Sequence, residues 1–214
     1  MTEYHKIETL FERDERSFVV DPTRLRSKVL GTISSWDVTE KIDGTNIRVT
    51  LTAQGDVMFG GRTDAAQIPA DLIQYLIQTF KPSQLREVLW PDGPANVVLY
   101  GEGYGAGIQK GGGLYRRDKA FILFDVLVND QWWLGREAVA EIGAKLGVSV
   151  VPYLGQRTLQ QIVELVQKGF ASNISSAAQA EGIVARPIEP LYDKRMKRVI
   201  IKLKTKDFVG GRAK

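Results

Sequence analysis

Glu40-Lys41-Ile42-Asp43-Gly44-Thr45-Asn46 places a lysine, two acids, a glycine and an amide between two β-rich runs. Upstream, Ser35-Trp36-Asp37-Val38-Thr39, and downstream, Ile47-Arg48-Val49-Thr50-Leu51, carry apolar or β-branched residues at alternate positions, the period of a half-buried strand. The stretch is therefore predicted where one strand turns into the next, with Gly44 supplying the bend. Taken alone, Asp43-Gly44 is an ordinary hairpin signal, and a polar turn is the competing account of all these residues. A lysine at such a turn can instead project into a cleft as a nucleophile. Asp43 could then orient the amine or hold a phosphate-bound metal, and Asn46 could donate to a phosphate oxygen. The rest of the chain decides between the two.

The 214 residues carry a net charge of +4, with a pI near 9.2. An apolar share of 43% is that of an ordinary globular chain, and the length favours one domain over residues 1–214. Lysine and arginine crowd the segment from Arg186 to Lys214, which suits a polyanionic partner. There is no cysteine to form a disulfide. With His5 the only histidine, there is no ordinary Cys/His zinc site and scant material for a Ser-His-Asp triad. A metal is therefore expected to be oxygen-bound, Mg2+ or Mn2+. No apolar run reaches membrane-spanning length and the first residues lack the apolar centre of a signal peptide, so a soluble, cytoplasmic protein with no membrane partner is expected.

Further along, Glu12-Arg13-Asp14-Glu15-Arg16 reads as a solvated edge. The run Val57-Met58-Phe59-Gly60-Gly61-Arg62 ends at two glycines that let a ligand approach the backbone, making Arg62 a phosphate or ribose candidate as well as a plain surface arginine. Pro69 opens a helix whose Leu72, Ile73, Leu76, Ile77 and Phe80 are predicted to form one buried face. Val97-Val98-Leu99-Tyr100-Gly101-Glu102-Gly103 reads as a buried strand delivering a carboxylate, Glu102, at its end, with the glycines clearing space around it. The glycine-rich run Gly105–Gly113 lacks the G-x-x-x-x-G-K-[ST] phosphate loop and is read as a mobile loop or lid carrying Lys110, Arg116 and Arg117. Lys119–Val128 is the strongest strand pattern, followed by a turn at Asn129-Asp130 and by Trp132-Trp133; its Phe124 could stack on a base or simply serve burial. Helices are predicted near Arg136–Leu146 and Leu159–Lys168. Glu181-Gly182 stands at the start of another strand. In Ile201-Lys202-Leu203-Lys204-Thr205-Lys206, period-two alternation predicts Lys202, Lys204 and Lys206 on one face.

Lys41-Ile42-Asp43-Gly44, Gly101-Glu102-Gly103, Phe124-Asp125, Glu181-Gly182 and Lys202-Leu203-Lys204 together resemble the ordered motif set of the covalent nucleotidyltransferases, which comprise DNA ligases, RNA ligases and mRNA capping enzymes. The resemblance runs from Tyr4 to about Phe208 and is closest to RNA ligases that seal breaks in double-stranded RNA and to RNA-editing ligases. Asn46 stands where DNA ligases and capping enzymes usually show arginine, and Tyr4-His5-Lys6-Ile7 is also similar to the RNA ligase branch. Asp43 stands where many of those RNA ligases have histidine. The sequence runs only a short way past Lys204, and no separate C-terminal domain of the kind they often carry is expected.

The resemblance implies an α+β adenylation domain of ATP-grasp-like type, with antiparallel β-sheets flanked by helices. It further implies an ATP-dependent RNA ligase joining 5′-phosphate and 3′-hydroxyl ends, with a nicked RNA duplex as partner and ATP and Mg2+ or Mn2+ as cofactors. Lys41 would form lysyl-AMP, and Lys202 and Lys204 would lower its pKa and neutralise the α-phosphate. Glu102 would hold the ribose, Phe124 would stack on adenine, and Glu181 with Asp43 would position the metal. Arg62 and Asn46 would contact phosphate or the end to be joined. Glu40 would lie beside the adenine edge, and Ile42 beside the nucleotide. Two competitors remain. One is a DNA nick-sealing ligase of the same chemistry, and the other a catalytically silent nucleic-acid-binding module, for which Lys41 has no use.

Overall fold

The computed structural model describes residues 2–14, 16 and 19–208. Glu15 of the charge run, and Arg212 and Lys214 of the basic C-terminal stretch, lie outside the described residues. The chain opens with β1 (Glu8–Thr9), β2 (Phe11–Arg13), β3 (Val20–Leu25) and β4 (Trp36–Lys41). It continues through β5 (Thr45–Leu51), β6 (Val57–Gly60), α1 (Ala70–Thr79), α2 (Pro82–Leu89), β7 (Val97–Gly105), α3 (Gly112–Tyr115), β8 (Lys119–Val128), β9 (Trp132–Trp133), α4 (Arg136–Leu146) and β10 (Ser149–Val150). It closes with β11 (Tyr153–Arg157), α5 (Leu159–Lys168), β12 (Gly182–Pro187) and β13 (Ile201–Lys204). These elements form two compact units. Lys6–Ile42 and Pro152–Lys214 make one, here the lysine unit, and Met1–His5 with Asp43–Val151 make the other, the insert unit. Among the described residues no helix is long and apolar enough to cross a membrane.

The lysine unit is built on a five-stranded sheet in the order β1-β13-β12-β4-β11, with β2 and β3 paired separately. Only the short edge pairing of β1 with β13 is parallel. Alternation turns Trp36 and Val38 of β4, Ile183 and Ala185 of β12, and Ile201 and Leu203 of β13 toward Ile162 and Val166 of α5. Each valine, leucine or isoleucine so buried contributes about 1.5–3 kcal/mol. Thr158 begins α5 with a capping box to Gln161, which satisfies donors that the first turn leaves over. The sheet's other face therefore receives Thr39, Lys41, Val184, Lys202 and Lys204. Lys206 does not continue that row. β13 ends at Lys204, and Thr205–Asp207 tighten into a 3₁₀ turn in which Asp207 accepts from Lys204 N at 2.9 Å and pairs with Arg13 at 2.6 Å, leaving Lys206 exposed.

The insert unit has a six-stranded sheet, β10-β8-β7-β5-β6 with β9 paired to β8. All its pairings are antiparallel except β10 with β8. Ile47, Val49 and Leu51 of β5, Leu99 of β7 and Phe121 and Leu123 of β8 pack in one core with Leu72, Leu76 and Phe80 of the α1 segment, Leu85 of α2 and Val139 of α4. The α1 stripe is narrower than predicted, since Ile77 is 53% exposed. α2 has no counterpart in the sequence reading. It is a short helix with Pro82 in its first turn and only Leu85 and Leu89 buried. The α+β class, with antiparallel sheets flanked by helices, is as expected.

Two local readings change. The strands either side of Asp43-Gly44 are not a hairpin, because β4 and β5 belong to different sheets. Gly44 is needed for proximity and not for the bend: a Cβ there would stand 2.5 Å from the Gly103 carbonyl oxygen. The turn with left-handed residues at both centres is Asn129 (φ 50) and Asp130 (φ 53), which joins β8 to β9 where the turn was predicted. β7 also runs through Glu102 to Gly105, so that carboxylate sits within the strand and not at its end. Its glycines make room for the core, since a Cβ on Gly101 would meet the Phe121 ring at 2.3 Å and one on Gly103 would meet Leu72 at 2.4 Å.

Candidate active site

In the lysine unit, strand register brings three predicted residues together. Gly182 of β12 pairs with Lys41 on one side and with Lys204 on the other. Glu181, immediately before it, lies between the two amines: Oε2 is 2.7 Å from Lys41 Nζ, and Oε1 pairs with Lys204 Nζ. The side chains are largely shielded, at 19%, 12% and 20% exposure for Lys41, Glu181 and Lys204. Gly182 allows this packing. It adopts φ 153, and a Cβ would stand 2.1 Å from the Leu203 carbonyl oxygen. Lys202 lies on the same face of β13, half-buried.

Burial pushes the Glu181 carboxyl up, but the charge of Lys41 and the Lys204 and Lys41 hydrogen bonds outweigh it and hold the group below its ordinary value of 4.5. A lowered folded value means that the ion pairs contribute stability fully above pH 4.5 and lose it as pH falls through the folded pKa. Melting curves from pH 7 to 3 should therefore show wild type more stable than Glu181→Gln at neutral pH, with the gap closing below about pH 4.5. Parallel curves across that range would contradict the assignment.

Glu40 is the predicted residue whose side chain does something else. It is 1% exposed, and its carboxylate accepts from the Ser172 hydroxyl and, at 2.8 Å, from Asn173 N. Its own N–H donates to Pro152 O at 2.9 Å. Both carboxylate oxygens are thus committed to the segment that leads into Glu181. Ile42 is likewise buried, at 1% exposure.

The insert unit gathers Asp43, Asn46, Arg62, Glu102 and Phe124. Asn46 and Glu102 are register partners on the sheet face opposite the helices. Asn46 Oδ1 is buried and accepts no hydrogen bond among the described residues, so a donor from a ligand would be favoured there. The glycine-rich run reaches the same strand end, with Gln109 Nε2 donating to Gly44 O at 3.0 Å. On β8 the register slips: Tyr100 pairs with Asp125 but Gly101 with Leu123, so Phe124 is the extra residue of a bulge. The bulge sends Phe124 and Asp125 to the face carrying Tyr100, where Tyr4 donates to Asp125 Oδ2 at 2.8 Å and meets Phe124 edge-on at 5.1 Å. His5, left without a role by the sequence, stacks on Tyr4 at 4.6 Å.

Arg62 is exposed beyond β6. Arg48, which drew no attention as one residue of an alternating strand, sets its setting. It is fully buried, donates from Nε to Gly61 O at 2.7 Å and binds Asp64 at 2.8 Å, thereby pinning both flanks of Arg62. The only signal in the sequence was a cation at a strand-interior position. Among the described residues no group of three or more acidic or histidine side chains is placed to hold a metal by itself.

The RNA ligase family model matches residues 34–204. Among solved structures, a mutant of Naegleria gruberi RNA ligase with ATP and Mn is 19% identical, with a TM-score of 0.66 over 95% of this chain and 61% of that one. A second mutant of that ligase, with AMP and Mn, is 19% identical with a TM-score of 0.63, covering 95% and 60% of the two chains. An apo mutant is 20% identical, with a TM-score of 0.63 over 83% and 51%. At these identities the likeness is one of fold, and this chain spans between half and about three-fifths of each matched chain. No curated protein matches the sequence.

Proposed function

Because the chain belongs to the RNA ligase family, we propose that it is an ATP-dependent ligase that joins 5′-phosphate and 3′-hydroxyl RNA ends through lysyl-AMP on Lys41 and an adenylated 5′ end. The observation that carries this reading is the Lys41–Glu181–Lys204 arrangement, in which one shielded carboxylate lies between two amines at the end of the motif-bearing strands. A module that merely bound RNA would have no need to shield a lysine in this way.

In the first step the neutral Lys41 amine attacks the α-phosphorus of ATP. A nitrogen–phosphorus bond forms, the bond to the bridging oxygen of pyrophosphate breaks, and the amine gives up its proton. AMP then passes to the 5′-phosphate of the RNA, and the 3′-hydroxyl displaces it. Lys202 and Lys204 neutralise phosphate charge on their face of the sheet. Phe124 stacks on adenine, Glu102 holds the ribose hydroxyls, and Asn46 and Arg62 contact phosphate or the end to be joined. Glu40, its carboxylate committed to Ser172 and Asn173, can reach the base only through its backbone.

The donors fit a phosphate-bound divalent ion better than a protein cage, because Glu181 in the lysine unit and Asp43 in the insert unit are single carboxylates and no group of three or more metal-holding side chains exists among the described residues. Mg2+ or Mn2+ held there would supply positive charge to the phosphates. Glu181 could serve such an ion only by loosening its hold on Lys41 or on Lys204.

The substrate assignment is tested by offering nicked RNA and nicked DNA duplexes of one sequence with ATP. RNA nicks should be sealed at least about tenfold faster, equivalent to roughly 1.4 kcal/mol in the barrier. Equal or reversed rates would overturn the RNA assignment, and sealing with GTP in place of ATP would overturn the nucleotide assignment.

A further inference from the structure

Residues 188–200 join β12 to β13 as a structured hairpin. Val199 N donates to Leu191 O and Asp193 N to Lys197 O, both at 2.8 Å, and Tyr192 bridges to Arg198. At the tip, Asp193 Oδ1 accepts from Arg195 N at 2.8 Å and Lys197 N at 2.9 Å, while Asp193 O accepts from Met196 N at 3.0 Å. Met196 is held at φ 58, a left-handed conformation that non-glycine residues rarely adopt. The tip is thus a built shape, maintained by Asp193 against local strain.

What it displays is unusual for a solvated turn. Ile188, Leu191, Tyr192 and Met196 are 39%, 41%, 49% and 77% exposed, four of the ten exposed large hydrophobics among the described residues. Lys194, Arg195 and Lys197 are exposed beside them; the charges of Arg195 and Lys197 act on Asp193, and among the described residues none of the three side chains is in a salt bridge. The acids here are Asp193, occupied by the turn, and Glu189 at the hairpin's base. A loop that only met water would not need the apolar side chains. A docking patch for an apolar protein surface would not surround them with three exposed cations. Cations interleaved with an aromatic and a flexible thioether suit a sugar-phosphate chain, where charge meets phosphate and the flatter apolar groups meet ribose.

We propose that this hairpin is a duplex-gripping surface that binds the phosphate backbone of the RNA substrate. The inference rests on the RNA ligase reading. Through β12 and β13 the hairpin is continuous with the strands bearing Gly182, Lys202 and Lys204, so RNA held there would be held by the sheet that carries the chemistry.

The test is binding of a labelled nicked RNA duplex by fluorescence anisotropy over a range of salt, with the full chain and with two triple variants. One is Lys194→Glu/Arg195→Glu/Lys197→Glu and the other Lys194→Gln/Arg195→Gln/Lys197→Gln. The glutamine variant should bind about tenfold or more weakly at moderate salt, with a log–log salt slope shallower by about 2–3, and the glutamate variant more weakly still. Wild-type adenylation by labelled ATP is measured on the same preparation. A wild type that takes no label overturns the ligase reading. A wild type that labels, beside well-folded variants that bind RNA with unchanged affinity and salt slope, overturns the hairpin assignment alone and reassigns the surface to a protein partner.

Discussion

Incubated with α-labelled ATP and Mg2+, the wild-type chain should carry acid-labile label through denaturing electrophoresis, and Lys41→Ala should carry none. The expected loss is complete, because no other group can replace the atom that forms the bond. Lys41→Arg sharpens the test. A guanidinium can keep the ionic contact with Glu181, seen at 2.7 Å for the native amine, yet it stays protonated and cannot attack phosphorus. Label retained by either variant would rule out Lys41 as the nucleophile. Label lost from the alanine variant but kept by the arginine variant would mean that the side chain acts only as a charge. Lys204 still pairs with Glu181 in Lys41→Ala, so the carboxylate keeps one cationic partner and the fold has no reason to collapse.

Gly182→Ala is expected to be the most damaging single-methyl change in the lysine unit. The added carbon would stand 2.1 Å from Leu203 O and 2.7 Å from Lys204 Cα, at a φ of 153 that side-chain-bearing residues rarely adopt. These are backbone atoms of the adjacent strand, so relief requires parting β12 from β13. A loss of about 3 kcal/mol, or roughly 6–12 °C in Tm for a chain of this size, is expected, together with loss of self-adenylation. Gly147→Ala provides the comparison, since it shares a left-handed φ of 68 but has nothing within 4 Å of the new carbon. Its cost should stay near 1 kcal/mol. Equal melting points for the two variants would show that crowding between the strands is not the constraint.

The parts of the site carried by strand alternation were legible. Lys202 and Lys204 could be set on one face of their strand because Ile201 and Leu203 had to take the other. What escaped depends on long-range placement. Asp43-Gly44 has the local chemistry of a hairpin, and nothing nearby says that β4 and β5 will pair with strands of different sheets. The bulge that re-aims Phe124 is a mismatch between two strands and exists in neither alone. Arg48 was invisible because its partners, Gly61 O and Asp64, lie beyond the next strand. Lys206 was misplaced because the end of β13 is fixed by Asp207 folding back onto Lys204 N, a capping contact that alternation does not encode. The hairpin between β12 and β13 passed as part of a basic tail, since composition counts charges without showing which are tied up.

One peptide step separates Glu40, turned inward onto Ser172 and Asn173, from Lys41, turned outward onto Glu181. The inward carboxylate moors the very stretch of chain that leads to Glu181. Trimming it would therefore slacken that approach, and with it the footing of the carboxylate that sits between Lys41 and Lys204. The Glu40 side chain is the keel under that pair.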